Sequence, residues 1–185
     1  ARYFKWLSGV QPILIVGAAS TPAVRIFPKS EAGATRLFAH GTLAYCSMSG
    51  ADQALFDYSF DDEDMLTEER IFADMSTVYE WVGIILAALQ DPKMAAQFLA
   101  AILNGKAPFE EHALLYAVQM ESLPGAPGWL EAWKGMYGEN AVISNPGLGD
   151  EYVRSTLGHT PVTVASPALR AFLKRCGVRE ADDFM

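Results

Sequence analysis

The first sixty residues consist of short apolar or alternating runs, separated by glycine, proline and serine. Such runs predict β-strands, here at residues 3–7, 12–16, 23–27, 36–39, 42–48 and 55–60. His40-Gly41, between two of these runs, is expected to form a tight turn. Since no segment of helical length separates the runs, the strands are expected to pair as hairpins of an antiparallel sheet.

From residue 65 onward, apolar residues recur at spacings of three and four, as on one face of an amphipathic helix. The pattern predicts helices over residues 65–90, 92–103, 108–123, 127–138 and 167–176. Asp91-Pro92 and Ser166-Pro167 each combine a capping side chain with a proline suited to the first helical turn. Short strands are expected at 141–144 and 162–165. The loop that joins them, 145–161, is long for a connection without secondary structure.

The order of strands first and helices afterwards predicts an α+β fold. The antiparallel sheet of the N-terminal third is expected to pack against a C-terminal helical layer. Residues 1–185 are interpreted as a single domain. A sub-boundary near residue 61 is the alternative, although no flexible linker marks it.

Composition narrows the class of protein. With 51% apolar and 19% charged residues, the chain is not an intrinsically disordered one. Two cysteines are too few for a disulfide scaffold, and Cys46 and Cys176 are expected to be buried free thiols in a cytoplasmic protein. The longest apolar run covers nine residues, 81–89, whereas a membrane span needs about 20. No leader segment is visible.

The net charge of −8 is distributed unevenly along the chain. Residues 1–50 carry five basic residues and one acidic residue, whereas residues 51–91 carry eleven acidic residues and one basic residue. A negative surface repels phosphate backbones and anionic lipid surfaces. Neither a nucleic acid nor a membrane is therefore expected as a partner.

A run of carboxylates is the strongest compositional signal in the chain. The candidate partner-binding residues are Asp57, Asp61, Asp62, Glu63, Asp64, Glu68 and Glu69. They are interpreted either as a docking surface for a basic protein or as solvated acids that favour the N-terminus of the next helix. A calcium loop counted from Asp57 is disfavoured, because Asp62 occupies the position that requires glycine. No metal site is expected.

Motifs for catalysis are missing from the sequence. It contains no GxSxG elbow, no Walker motif and no dinucleotide fingerprint, so no cofactor is expected and the balance is against an enzyme. None of the three histidines is paired with another at metal-ligand spacing. A ligand site, if there is one, is expected around loop 145–161. Its candidate residues are His159, Tyr152, Trp129 and Trp133, with His40 as a second contributor.

The leading hypothesis is a non-enzymatic, acidic protein-binding module that recognises a basic protein surface. An inhibitor, an immunity-type factor, an adaptor or a chaperone would each fit. One alternative is a small-molecule enzyme or binding protein with its site around loop 145–161. A further alternative is a self-assembling structural subunit, and homo-oligomers are compatible with each of these.

Overall fold

The computed structural model describes residues 12–18, 21–62, 64–119 and 127–185. A mixed sheet of five strands forms the N-terminal part. The strands are β1 (Leu14–Ala18), β2 (Thr21–Phe27), β3 (Thr35–Ala39), β4 (Thr42–Ser47) and β5 (Asp57–Phe60). The strand predicted at residues 3–7 lies outside the described residues.

The strand order is β1-β2-β5-β3-β4, and one pair in it departs from the prediction. All neighbours are antiparallel except β3 and β5, which pair in parallel with Leu37 opposite Tyr58. The chain returns from β4 through a 3₁₀ turn at Gly50–Asp52 and inserts β5 between β2 and β3. The expectation of a purely antiparallel sheet was therefore wrong at the β3–β5 pair, and β5 pairs with neither of its neighbours through a hairpin.

The turn between β3 and β4 follows the prediction. His40 and Gly41 have φ angles of 46° and 77°, and Ala39 pairs with Thr42 on either side of them. Positive φ at both central residues is what a two-residue type I′ hairpin requires. His40 is therefore held in a turn by its backbone conformation.

Six helices dominate the rest of the described chain. They are α1 (Met75–Ala87), α2 (Pro92–Leu103), α3 (Pro108–Gln119), α4 (Pro127–Tyr137), α5 (Leu148–Ser155) and α6 (Pro167–Arg175). Strands β6 (Ala141–Ile143) and β7 (Thr160–Val162) pair in parallel as a second small sheet, and a 3₁₀ turn at Ala181–Phe184 follows α6. The predicted α+β fold is confirmed.

Helix α1 begins ten residues later than predicted. The Asp74 side chain accepts the Ser76 N–H at 2.8 Å and caps the helix there. Upstream, Leu66 and Phe72 form a β-bridge that closes a tight loop in which Arg70 has a φ of 64°. Met65 and Phe72 are buried. The seven-residue spacing of these two buried side chains matches two turns of a helix, although the backbone between them forms a loop.

The loop predicted at 145–161 contains helix α5, so its interpretation as a connection without secondary structure was wrong. The Asp150 carboxylate in the first turn of α5 accepts hydrogen bonds from the Ser144 hydroxyl at 2.6 Å and the Asn145 N–H at 2.8 Å. These bonds fasten the start of α5 to the end of β6. The sequence gives little sign of this helix because it is short and polar, and Val153 is the one fully buried apolar side chain among those described in it.

One contiguous apolar core joins the sheet to the helices. Its largest fully buried side chains include Tyr58 and Phe60 of the sheet and Phe98, Trp129 and Phe172 of the helices. The Trp129 indole N–H donates to the Leu86 carbonyl at 2.6 Å, so its polar atom is satisfied in the interior.

Helices α1 and α3 are in close backbone contact at Gly83. A Cβ atom on Gly83 would lie 2.4 Å from the Ala113 carbonyl oxygen, a separation far below van der Waals contact. Gly83 is therefore required by packing rather than by backbone conformation.

One of the two cysteines differs from the expectation of buried thiols. Cys46 is exposed on β4, and that part of the prediction was wrong because alternate residues of a strand point to opposite faces of the sheet. Cys176 is largely buried, and burial raises the pKa of its thiol to about 12. In the part of the chain that the structure describes, no helix has the length and apolar character needed to cross a bilayer.

Candidate functional site

The first candidate residue of the acidic run, Asp57, lies inside the protein. Its side chain is 1% exposed and accepts hydrogen bonds from Lys29 Nζ at 3.2 Å, Ser30 N at 3.0 Å and Ser30 Oγ at 2.5 Å. These bonds and the ion pair compensate for the loss of hydration of a buried carboxylate. Asp57 is therefore occupied by the protein itself and does not face a partner.

Asp61 is also paired, though nearer the surface. Its carboxylate contacts Arg25 NH2 at 3.1 Å, and Arg36 pairs with Glu31. Together with the pair between Lys29 and Asp57, these contacts engage every basic side chain of residues 12–50. Each of these three basic side chains is thus paired with an acidic side chain of the N-terminal part of the chain.

The remaining acids form an exposed loop, and we call residues 61–69 the acidic loop. Asp64, Glu68 and Glu69 are exposed and Asp62 is half-buried; Glu63 lies outside the described residues. The Asp62 carboxylate accepts the Asp64 N–H at 2.9 Å and shapes the backbone. No basic side chain of the described ranges forms an ion pair with these four acids. A hydrogen bond from its own backbone amide lowers the pKa of the Glu69 carboxyl.

A groove of about 370 Å³ separates the acidic loop from β4. Strand β4 lies at one edge of the sheet, so its outer backbone groups have no neighbouring strand among the residues that the structure describes. Besides β4, the groove is lined by Glu69, Arg70 and Ile71. Ile71 is 54% exposed, although its position in the apolar pattern predicted a helix face turned to the core.

A second concave region lies at the other end of the chain, and we call it the C-terminal cleft. It has a volume of about 280 Å³ and lies between α4, β6 and the segment that follows α6. The lining residues are Leu130, Trp133, Lys134, Glu139, Ala141, Val142, His159, Gly177, Val178, Arg179 and Phe184. Apolar walls and several polar groups meet there, as in most small-molecule sites.

The Phe184 ring contacts two of the polar side chains of the cleft. The Arg179 guanidinium carbon lies 3.6 Å from the ring centroid in a cation–π contact. The His159 ring meets the same aromatic ring edge-on, with centroids 4.7 Å apart. His159 Nδ1 lies 3.1 Å from the Leu157 carbonyl oxygen, which can only accept, so Nδ1 carries a proton.

The candidate ligand residues are only partly brought together. Trp133 and His159 line the C-terminal cleft. Trp129 instead packs between Phe98 and Phe172 in the core. Tyr152 lies on α5 outside the lining of the cleft, and His40 lies in the β3–β4 hairpin.

Sequence reasoning missed the other lining residues of the cleft, among them Lys134, Arg179 and Phe184. Arg179 and Phe184 lie beyond the last predicted helix, where no periodic pattern draws attention to them. Among the described residues, neither His40 nor His159 has a ring hydrogen bond to a carboxylate, and no cluster of three metal-ligating side chains occurs.

A buried carboxylate, Glu110, fastens α3 to the sheet. Its Oε1 accepts the Tyr58 hydroxyl at 2.6 Å and the Leu55 N–H at 2.8 Å, and the side chain is fully buried. Burial raises the pKa of Glu110 to about 7, and the two hydrogen bonds only partly offset this. Burial also raises the pKa of Tyr58 well above its ordinary value. The two hydrogen bonds give Glu110 a structural role, because they connect α3 to β5 and to the segment before it.

Comparison with known proteins adds no functional information to this geometry. No family model matches the chain, and no curated protein or solved structure is significantly similar to it.

Proposed function

We propose that the chain is a non-enzymatic, acidic protein-binding module that recognises a basic protein surface through its acidic loop. An inhibitor, an immunity-type factor, an adaptor or a chaperone would each act in this way. The observation that carries the proposal is the separation of charge. The bases of the N-terminal sheet are paired internally, whereas the exposed acids of the loop have no basic partner among the described residues.

Uncompensated surface carboxylates act mainly on the rate of encounter. A patch of one sign raises association rates by roughly 10- to 1000-fold at low salt, and the effect is screened beyond about 8 Å at physiological ionic strength. Each exposed ion pair adds only about 0–1 kcal/mol to affinity. The charges of the acidic loop would therefore guide the partner and set its orientation.

The affinity would come from apolar contacts beside the charges. Ile71 is 54% exposed at the end of the acidic loop and lines the groove next to β4. An apolar side chain bordered by charged groups resembles the core and rim of a protein interface. We place the module in the cytoplasm, where reducing conditions would keep the exposed Cys46 thiol free.

The test begins with capture of partners from native lysate at low salt, followed by stopped-flow association with the purified partner. The loop variant combines Asp64→Asn, Glu68→Gln and Glu69→Gln. We expect its association rate at low salt to fall about tenfold, because the steering charges are removed. The difference should shrink as salt is added.

The matched control removes three exposed acids elsewhere, through Glu131→Gln, Glu139→Gln and Glu151→Gln. It changes the net charge by the same amount and should alter the association rate by less than about twofold. Equal rates for the loop variant and the wild type, or equal losses in both variants, would refute the role of the acidic loop. A partner whose binding surface is not basic would do the same.

A further inference from the structure

We propose that the C-terminal cleft binds a small carboxylate with a flat apolar body, such as an aromatic acid. This site is separate from the acidic loop and does not depend on the function proposed for it. Three properties of the cleft support the assignment: its apolar walls, its oriented cationic groups and the balance of its local charge.

The walls of the cleft suit a flat apolar group. Leu130, Val178 and Phe184 line it together with Trp133 and Val142. The volume of about 280 Å³ lies just below the roughly 300–1000 Å³ of pockets that hold drug-sized molecules. The occupant is therefore expected to be the size of a single substituted ring.

The Arg179 side chain is held in place before any ligand arrives. The Arg179 guanidinium lies over the Phe184 ring at 3.6 Å, which leaves its edge N–H groups for other acceptors. One edge nitrogen makes a long hydrogen bond of 3.4 Å to the exposed Asp183 carbonyl. A guanidinium fixed on one face matches the two oxygens of a carboxylate in a bidentate pair.

His159 supplies a second polar contact on the same side of the cleft. Its Nδ1 is bound to the Leu157 carbonyl at 3.1 Å, so Nε2 is the nitrogen left for a ligand. Nε2 accepts from a ligand hydroxyl in the neutral ring and donates to an anion in the protonated ring. The backbone N–H of His159 bonds the Val153 carbonyl at 2.9 Å, which fixes the residue at the end of α5.

The local charge of the cleft is opposite to that of the whole chain. Lys134 and Arg179 are its permanent cations, and Glu139 is the one carboxylate among its described lining residues. Lys134 Nζ contacts Glu139 Oε2 at 2.8 Å, but the two side chains are 39% and 77% exposed. Exposed pairs of this kind are weak, so Lys134 is free to turn toward an anionic ligand.

The experiment is a titration of the ¹⁵N-labelled full chain with benzoate, followed by the amide signals of Gly177 and Val178 and the indole signal of Trp133. Benzyl alcohol tests the same apolar body without the charge, and inorganic phosphate tests an anion without the ring. We expect saturable shifts with benzoate, about tenfold weaker binding of benzyl alcohol and no saturable binding of phosphate.

Variants separate the charge from the shape of the cleft. Arg179→Gln is expected to weaken benzoate binding about tenfold, and Lys134→Gln to weaken it less. Lys106→Gln removes an exposed lysine from the turn between α2 and α3, outside the cleft, and should leave binding unchanged. If Arg179→Gln fails to fold, the comparison of Lys134→Gln with Lys106→Gln replaces it.

Several results would overturn the proposal. They are the absence of saturable shifts with benzoate, equal binding of benzoate and benzyl alcohol, and phosphate binding as tight as benzoate. Benzoate binding that is insensitive to replacement of Arg179 in a folded variant, or of Lys134 where that variant does not fold, would also exclude the carboxylate site.

Discussion

The buried Asp57 carboxylate at the sheet and the exposed carboxylates of the acidic loop belong to one run of negative charge, yet they have different roles. Asp57 is enclosed and bound by Lys29 and Ser30, in the same way as Glu110, which lies outside that run, is enclosed and bound by Tyr58. Asp64 and its neighbours in the acidic loop face solvent. The difference shows that an acidic run mixes carboxylates that hold the fold with carboxylates that are available to a partner.

The strongest way to break this comparison is to remove Asp57. Asp57→Ala leaves Lys29, whose side chain is only 19% exposed, without its anion, and loss of one partner of a buried pair costs roughly 3–5 kcal/mol. Urea unfolding should therefore show a loss of about 3 kcal/mol in the free energy of unfolding. Asp64→Ala is the control and should change it by less than about 0.5 kcal/mol. Similar losses in the two variants would mean that burial does not separate the two kinds of carboxylate.

A second test uses the proton on Glu110. Its pKa rises from 4.5 to about 7 on folding, so between these values the folded state holds a proton that the unfolded state releases. The stability contributed by this group is complete below about pH 4.5 and falls as pH rises to about 7. The shift corresponds to about 3 kcal/mol.

Glu110→Gln isolates this contribution, because the amide does not titrate. Urea unfolding of both proteins below, within and above the window should show stability falling with pH in the wild type relative to the variant. Above the window the two curves should run parallel. A constant difference between the two proteins across the window would show that Glu110 is ionised in the folded state.

The smallest effect is expected for the cysteines, which extend the comparison to a second type of side chain. The exposed Cys46 thiol should react with a disulfide reagent in the native protein, with little change in stability. Cys176, largely buried and with a pKa of about 12, should react only after unfolding. Counting modified thiols before and after addition of urea checks this. Reaction of both thiols at similar rates in the native protein would contradict it.

Local signals were sufficient for much of the fold. The cap at Asp91-Pro92 correctly placed the start of α2, and His40-Gly41 correctly placed the hairpin between β3 and β4. These features depend on a few neighbouring residues, so the sequence carries them. The insertion of β5 between β2 and β3 depends on contacts distant in the chain, and no local pattern records it.

The candidate sites were less predictable for the same physical reason. The acidic run was visible as composition, but only the contacts of Asp57 and Asp61 separate its internal members from its exposed ones. The C-terminal cleft joins side chains from α4, β6 and the segment after α6. Trp133 and His159 could be chosen as candidates from their residue types alone. Arg179 is positioned by its contact with the Phe184 ring, which no local sequence pattern indicates.

The missing side chain at Gly83 has an influence that extends beyond its own helix. Because a Cβ there would lie 2.4 Å from the Ala113 carbonyl oxygen, any larger residue would displace helix α3 away from α1. Helix α3 carries Glu110, whose bond to Tyr58 spans 2.6 Å. The position of the Glu110 carboxylate against the sheet therefore depends on the absence of a side chain at Gly83, twenty-seven positions earlier in the chain.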